Sequence, residues 1–215
     1  MRTLFMGSDK IALPLLEVLK RRSSALCVVS QPDKPSGRGQ KLAPNDISAW
    51  AEGEGVKLLR PKKLDDDFIK ELKDFLPDII FVMAYGRLLK TSIIELPRLG
   101  TWNLHASLLP QLRGASPIET AIALGDTHTG VCLMKMVLAL DAGPVGASLN
   151  IPLSPQTTSA ALRSLVAQAS AQLVDHEWQL LEKGSVQVHP QDESQATYCR
   201  PLTKADTLLD PAAPA

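Results

Sequence analysis

Short apolar runs without polar interruption, separated by stretches of helix length, constrain this chain more than any other feature. Residues 4–6, 25–30 and 79–83 are such runs. A strand that is apolar at nearly every position must be covered on both faces, which is the condition of a parallel sheet with helices on either side. The first run leads into Gly7-Ser8-Asp9 and then an apolar-periodic stretch, 11–19, so the chain opens as strand, tight turn and helix. That unit predicts an α/β fold: a Rossmann-like, doubly wound, mostly parallel sheet flanked by helices. Only one of the glycines of a dinucleotide fingerprint is present at the turn, which argues against NAD, and Ser8 and Asp9 read as helix caps.

The remaining elements continue the alternation. Asn45 caps a helix over 46–54, and 56–59 is a short strand. Residues 65–75 form an amphipathic helix with Phe68, Leu72 and Phe75 on one stripe, stopped by Pro77. A helical turn is expected at 93–96 and the end of a buried strand at Thr101-Trp102. Pro117 stands at the first helical position after Ser116, in a helix that Leu124-Gly125 ends. Strands are expected at 130–138 and 144–153, and one long packing helix at 157–181.

Composition narrows the class. With 215 residues and 45% hydrophobic content, one substantial core is expected, in a domain over 1–190 followed by a polar extension or linker over 191–215. Lys+Arg and Asp+Glu are 23 each, so no net field announces a nucleic-acid binder; DNA is not an expected partner, and attraction for RNA must be local. Cys27, Cys132 and Cys199 are distant and odd in number, as in reduced thiols of a cytoplasmic protein. There is no apolar run of membrane-spanning length, and the first run is too short for a secretory leader, so no membrane is expected. His128, His176 and His189 have no metal-ligand spacing, and no metal is expected.

Chemistry concentrates in the stretch from Asn103 to Pro117. An amide and an imidazole two residues apart project to one side of a strand, so Asn103 and His105 can face one reacting atom. A turn from Ser107 to Pro110 and a polar loop at Arg113-Gly114 follow, as expected where an open α/β sheet keeps its ligand. Asp141, beyond a second apolar strand and just before Ala142-Gly143-Pro144, could lie beside His105, fix its tautomer and stabilise its charged form. Gln31 to Pro44 forms a long loop with three prolines, two glycines and the cations Lys34, Arg38 and Lys41 against Asp33. It suits phosphate contact, and a solvated linker would have the same composition. After strand 79–83, Gly86 would let backbone approach a flat ligand, and Leu88 and Leu89 offer an apolar wall.

The pattern Asn-x-His-x-Ser-Leu-Leu-Pro-x-x-Arg-Gly-Ala-x-Pro, followed by Leu-Asp-x-Gly, resembles the active-site signature of the folate-dependent formyltransferases, in particular those that act on aminoacyl-tRNA. Phe5-Met-Gly7-Ser8, the segment from Gln31 to Gly39, Ala84-Tyr-Gly86 and Thr129-Gly-Val131 are similar too. The likeness runs to about Lys204; the Ser8-Asp9 turn departs from the Thr-Pro more usual in the family.

This resemblance implies direct transfer of a formyl group from 10-formyltetrahydrofolate to the amino group of initiator methionyl-tRNA through a tetrahedral intermediate, with no metal. It implies Asn103, His105 and Asp141 as the catalytic set, the Asn103 amide and a protonated His105 as oxyanion donors, and Asp141 raising the imidazole pKa. It implies folate contacts at Tyr85, Gly86, Arg87, Leu88 and Leu89, at Ser107, Leu108, Leu109 and Pro110, and at Val137, Leu138, Ala139 and Leu140. It implies tRNA contacts at Lys34, Arg38, Lys41, Arg113 and Gly114. The family's tRNA-specific members continue into a β-rich basic domain that this sequence does not show, and truncation at the linker is the expectation. Formylation of a small amine, hydrolysis of formyl-folate, and a non-catalytic folate- or RNA-binding module stay open as alternatives.

Overall fold

The apolar runs become the strands of one sheet in the computed structural model, which describes residues 1–36, 41–203 and 206, with the backbone alone at 34–36 and 41. In chain order the elements are β1 (Arg2–Met6), a 3-10 turn (Lys10–Ala12) leading into α1 (Leu13–Arg22), β2 (Ala25–Val29), β3 (Lys34–Ser36), β4 (Lys41–Ala43), α2 (Asp46–Gly53), β5 (Lys57–Leu59), α3 (Asp66–Phe75) and β6 (Ile79–Val82). Then come α4 (Thr91–Ile94), β7 (Thr101–His105), β8 (Arg113–Gly114), α5 (Pro117–Ala123), β9 (His128–Lys135), β10 (Val145–Pro152), α6 (Ser159–Lys183) and β11 (Tyr198–Cys199).

The seven-stranded sheet runs β10-β9-β7-β6-β1-β2-β5. Its five strands from β7 to β5 are parallel, and β9 and β10 are antiparallel additions at one edge. Side chains alternate between two cores, as a pleated strand requires. Phe5, Phe81, Trp102 and Leu104 pack with α1, α2 and α6, where the Phe81 and Trp178 rings stack at 6.4 Å. Leu4, Met6, Ile80 and Val82 pack on the other face against Phe68, Leu72 and Phe75 of α3. This is the mostly parallel, helix-flanked sheet expected from the apolar runs.

Successive crossovers step from β1 to β2 to β5, then return to β6 on the other side of β1. The reversal opens a crevice at the carboxyl ends of β1 and β6, where open α/β sheets bind ligands. Gly7 is needed there for closeness: a Cβ would sit 2.7 Å from the Met83 carbonyl oxygen and 2.5 Å from the Phe5 ring. Asp9 caps the 3-10 turn, accepting from the Ile11 N–H at 2.9 Å.

Several boundaries differ from expectation for local reasons. The strand at 101 continues to His105, so Asn103 and His105 lie within it. Asp65 caps α3, accepting from the Phe68 N–H, and Leu76 in the left-handed region (φ 52°) ends it one residue before Pro77. The stretch 31–44, read as a loop, contains the antiparallel pair β3 and β4, while Arg38, between them in sequence, lies outside the described residues. Just after His189, which bridges Val145 within the expected domain, residues 191–199 were read as the start of a polar extension, yet they return to the domain, where β11 pairs in parallel with β8. Among the described residues no helix is long and apolar enough to cross a membrane.

Candidate active site

β7 delivers Thr101, Asn103 and His105 to one face. Trp102 and Leu104 point into the α6 core, so Thr101, Asn103 and His105 face the α3 side, where the Thr101 hydroxyl donates to the Ile94 carbonyl at 2.8 Å. The loop after β7 then folds back on the imidazole. The Ser107 hydroxyl donates to the Gln111 carbonyl at 2.6 Å, and Leu112 turns at φ 55°. This brings the Leu112 carbonyl oxygen to 2.9 Å from His105 Nε2. A carbonyl only accepts, so Nε2 carries a proton and Nδ1 is the nitrogen left for chemistry.

His105 Nδ1 lies 3.7 Å from Asp141 Oδ2. That separation is too long for a hydrogen bond, and it becomes a charge contact only when the imidazole is protonated. The same carboxylate oxygen accepts from the Gly114 N–H at 2.9 Å. Asp141 sits at φ 47°, a left-handed conformation that costs a non-glycine residue about 1 kcal/mol and persists only when neighbours enforce it. Gly114 itself has φ 119°, and a Cβ there would meet the Cys199 carbonyl oxygen at 2.1 Å, so only glycine can present this N–H.

These groups line one cleft of about 670 Å³. One wall is apolar and largely uncovered: Leu88 is 84% exposed, Leu138 69% and Leu140 55%. Asn103 opens on the cleft, and its amide has no hydrogen-bond partner among the described residues. A charged border is formed by Arg163, which pairs with Asp9 at 2.6 Å and with Glu119 at 3.5 Å. A flat, partly apolar molecule with polar edges fits such a volume and lining. Among the described residues no group of three His, Cys, Asp or Glu could hold a metal.

The sequence matches the family described as "Formyl transferase" over residues 1–176. The chain belongs to the formyl transferase family. It is 40% identical to a methionyl-tRNA formyltransferase of Stenotrophomonas maltophilia, over 98% of this chain and 69% of that one. It is also 40% identical to a methionyl-tRNA formyltransferase of Xylella fastidiosa, over all of this chain and 71% of that one. An N-formyltransferase of Helicobacter canadensis, crystallised with folinic acid and dTDP-3-aminofucose, has the same fold, with a TM-score of 0.72 at 19% identity over 93% of this chain and 71% of that one.

In this formyl transferase the expected residues sort unevenly. Asn103, His105, Asp141, Gly114, Tyr85, Gly86, Arg87, Leu88, Leu89, Val137, Leu138, Ala139 and Leu140 all line the cleft. Tyr85 contributes backbone: its ring is buried and its carbonyl accepts from Gln31 Nε2 at 2.6 Å. The Arg87 guanidinium turns aside to the Pro61 and Lys62 carbonyls, at 2.9 and 3.0 Å. Ser107, Leu108, Leu109 and Pro110 are not brought to the cleft; the Leu108 side chain packs over Gly130 and the Leu109 N–H reaches Cys132 Sγ. Lys34 stands opposite Ala43 and Lys41 opposite Ser36 in the β3–β4 pair, and their side chains, like all of Arg38, lie outside the described residues.

The Arg113 side chain, expected to contact the tRNA by holding a substrate phosphate or carboxylate, is instead committed within the protein. Its side chain is 1% exposed and its guanidinium is already filled: Glu193 accepts at 2.7 and 2.9 Å and Gln191 Oε1 at 2.8 and 3.0 Å. Hydrogen bonding to Glu193 raises the Arg113 pKa, and Arg113 in turn holds the Glu193 carboxyl below its ordinary value. Gln191 and Glu193 were not legible as site residues. They stand in a polar stretch without periodicity, and their partner is distant in sequence.

Proposed function

We propose that this chain transfers the formyl group of 10-formyltetrahydrofolate to the α-amino group of initiator methionyl-tRNA, the modification used at the start of translation, in the cytoplasm. The observation that carries the proposal is the meeting of the Asn103 amide, the free Nδ1 of His105 and the Asp141 carboxylate in one half-apolar cleft at the sheet's switch point. The 40% identity to methionyl-tRNA formyltransferases supports the choice of acceptor.

The folate co-substrate supplies an activated formyl carbon. Its ring would lie against Leu88, Leu138 and Leu140, with backbone of 85–89 and 137–140 meeting its polar edges. As the amine nitrogen bonds to the formyl carbon, negative charge grows on the formyl oxygen, and an aimed N–H donor there is worth about 3 kcal/mol. Asn103 fills that role, with Nδ1 of His105 adding to it when protonated. The amine must lose a proton and the departing folate nitrogen must gain one. Nδ1 is positioned to carry it, because Nε2 is committed to Leu112, and Asp141 stabilises the imidazolium formed on the way. The cations Lys34, Arg38 and Lys41 of the hairpin segment are assigned to the tRNA phosphates.

The test is a transfer assay with 10-formyltetrahydrofolate and charged initiator tRNA, run beside free amines and water as acceptors. Transfer to the tRNA that is lost in His105→Ala is the expected result. Formate release alone, or transfer to free amines but not to tRNA, would overturn the proposed acceptor.

A further inference from the structure

The returning tail makes a connection that the formyl transfer described above does not use. Gln191 spends both ends of its amide on the active-site frame. Its Nε2 donates to the Asp141 carbonyl at 2.8 Å and to the Gly143 carbonyl at 2.7 Å, on the two sides of the catalytic turn. Its Oε1 accepts from Arg113 Nη2 and Nε at 2.8 and 3.0 Å. Glu193 takes the other flank of the same guanidinium, and Tyr198 Oη accepts from Nη1 at 3.3 Å. The backbone closes the loop, since the Leu112 N–H donates to Thr197 Oγ1 at 2.8 Å and the Arg113 N–H to the Thr197 carbonyl at 2.9 Å.

The consequence is geometric. Asp141 is gripped twice from the Arg113-Gly114 pair, once through its carboxylate by the Gly114 N–H and once through its carbonyl by way of Gln191 and the Arg113 guanidinium. The Leu112 carbonyl that fixes His105 Nε2 belongs to the same rung. One short tail segment therefore sets the positions of both partners of the His105–Asp141 contact, and a left-handed Asp141 is the kind of backbone that needs such enforcement.

We propose that Gln191, held by Arg113 and Glu193, is a positioning residue that fixes the Asp141 turn against His105, so that the 189–199 tail completes the active site. This rests on the formyl-transfer reading for its kinetic consequences but not for its structural ones. Gln191 reaches no reacting atom; it acts through the carbonyls of Asp141 and Gly143.

Two variants of the full chain test it. Gln191→Glu keeps the acceptor for Arg113 and turns an acceptor towards the two carbonyls; Gln191→Met fills the space with neither. The expected result is a fall in kcat of about 100-fold in both, with KM for folate and tRNA little changed and thermal stability retained in Gln191→Glu. Hydrogen exchange at the Gly114 amide, whose N–H is bonded to Asp141 in the parent, should quicken in both variants relative to the parent. A kcat within about twofold of the parent per folded molecule, or unaltered Gly114 exchange, would overturn the proposal. Should the parent transfer formyl to no acceptor, the reaction assignment fails by itself, and the exchange measurement still decides the positioning role.

Discussion

The segment from Asn103 to Pro117 and the segment from Gln31 to Pro44 both leave the carboxyl edge of the sheet, and they are built in opposite ways. The first is tied inward at every step: His105 to Leu112, Leu112 and Arg113 to Thr197, Gly114 to Asp141. The second is tied at its base, where Asp33 and Glu52 hold Arg60 at 2.9 and 2.6 Å and Gln31 is joined to Ser8 and Asn45, and its two short strands then pair with each other in a sheet of their own. On the proposed function, the difference follows from what each would bind. Donors aimed at a charge that exists only during reaction lose their effect when displaced by about an ångström. Cations meeting a polyanion act through a field that tolerates such displacement.

If that contrast is right, substitutions in the two segments separate cleanly in kinetics. The largest effect belongs to His105→Ala, for which steady-state assays should show kcat down about 1,000-fold with KM for tRNA nearly unchanged. Asn103→Ala comes next, at roughly 100-fold in kcat, the loss expected for one oxyanion donor. Replacing Arg38 and Lys41 together by Ala should instead weaken tRNA binding while folate affinity and kcat at saturation stay as they were. The slope of log affinity against log salt, measured by titration at several ionic strengths, should fall by about one for each phosphate contact removed. Folate binding lost in step with tRNA binding would break the distinction.

The smallest effect concerns the clamp on Arg113. Glu193 is held below the ordinary carboxylate value of 4.5, chiefly by its hydrogen bonds with Arg113. A carboxyl whose folded pKa is depressed contributes stability above its unfolded value and loses it as pH falls through the folded one. Glu193 is exposed, so the contribution is modest. Thermal midpoints of the parent and of Glu193→Gln should differ slightly above pH 4.5 and converge below it. A gap that persists in acid would mean the pair holds the tail by shape rather than by charge.

The sheet and the shared face of Asn103 and His105 were legible because each is written in local pattern, whereas the nearness of Asp141, beyond another strand, was expected from its place at a strand edge and from the family resemblance. Runs such as Ile79 to Met83 can only be strands covered on both faces, and a two-residue spacing on a strand puts both side chains on one face. Arg113 was misread for the converse reason. An arginine before a glycine in a polar loop reads as facing solvent unless its partners are known, and these lie 78 and 80 residues away. The 31–44 hairpin was missed because its strands are short and contain Pro35, which weakens any strand pattern.

The lock between His105 Nε2 and the Leu112 carbonyl has one more consequence. A ring rotated by half a turn would set carbon against that oxygen, so the imidazole has a single orientation to occupy. Isotopic labelling of this histidine would then give two nitrogen resonances that stay distinct, one from the nitrogen that faces Leu112 and one from the nitrogen that faces the cleft.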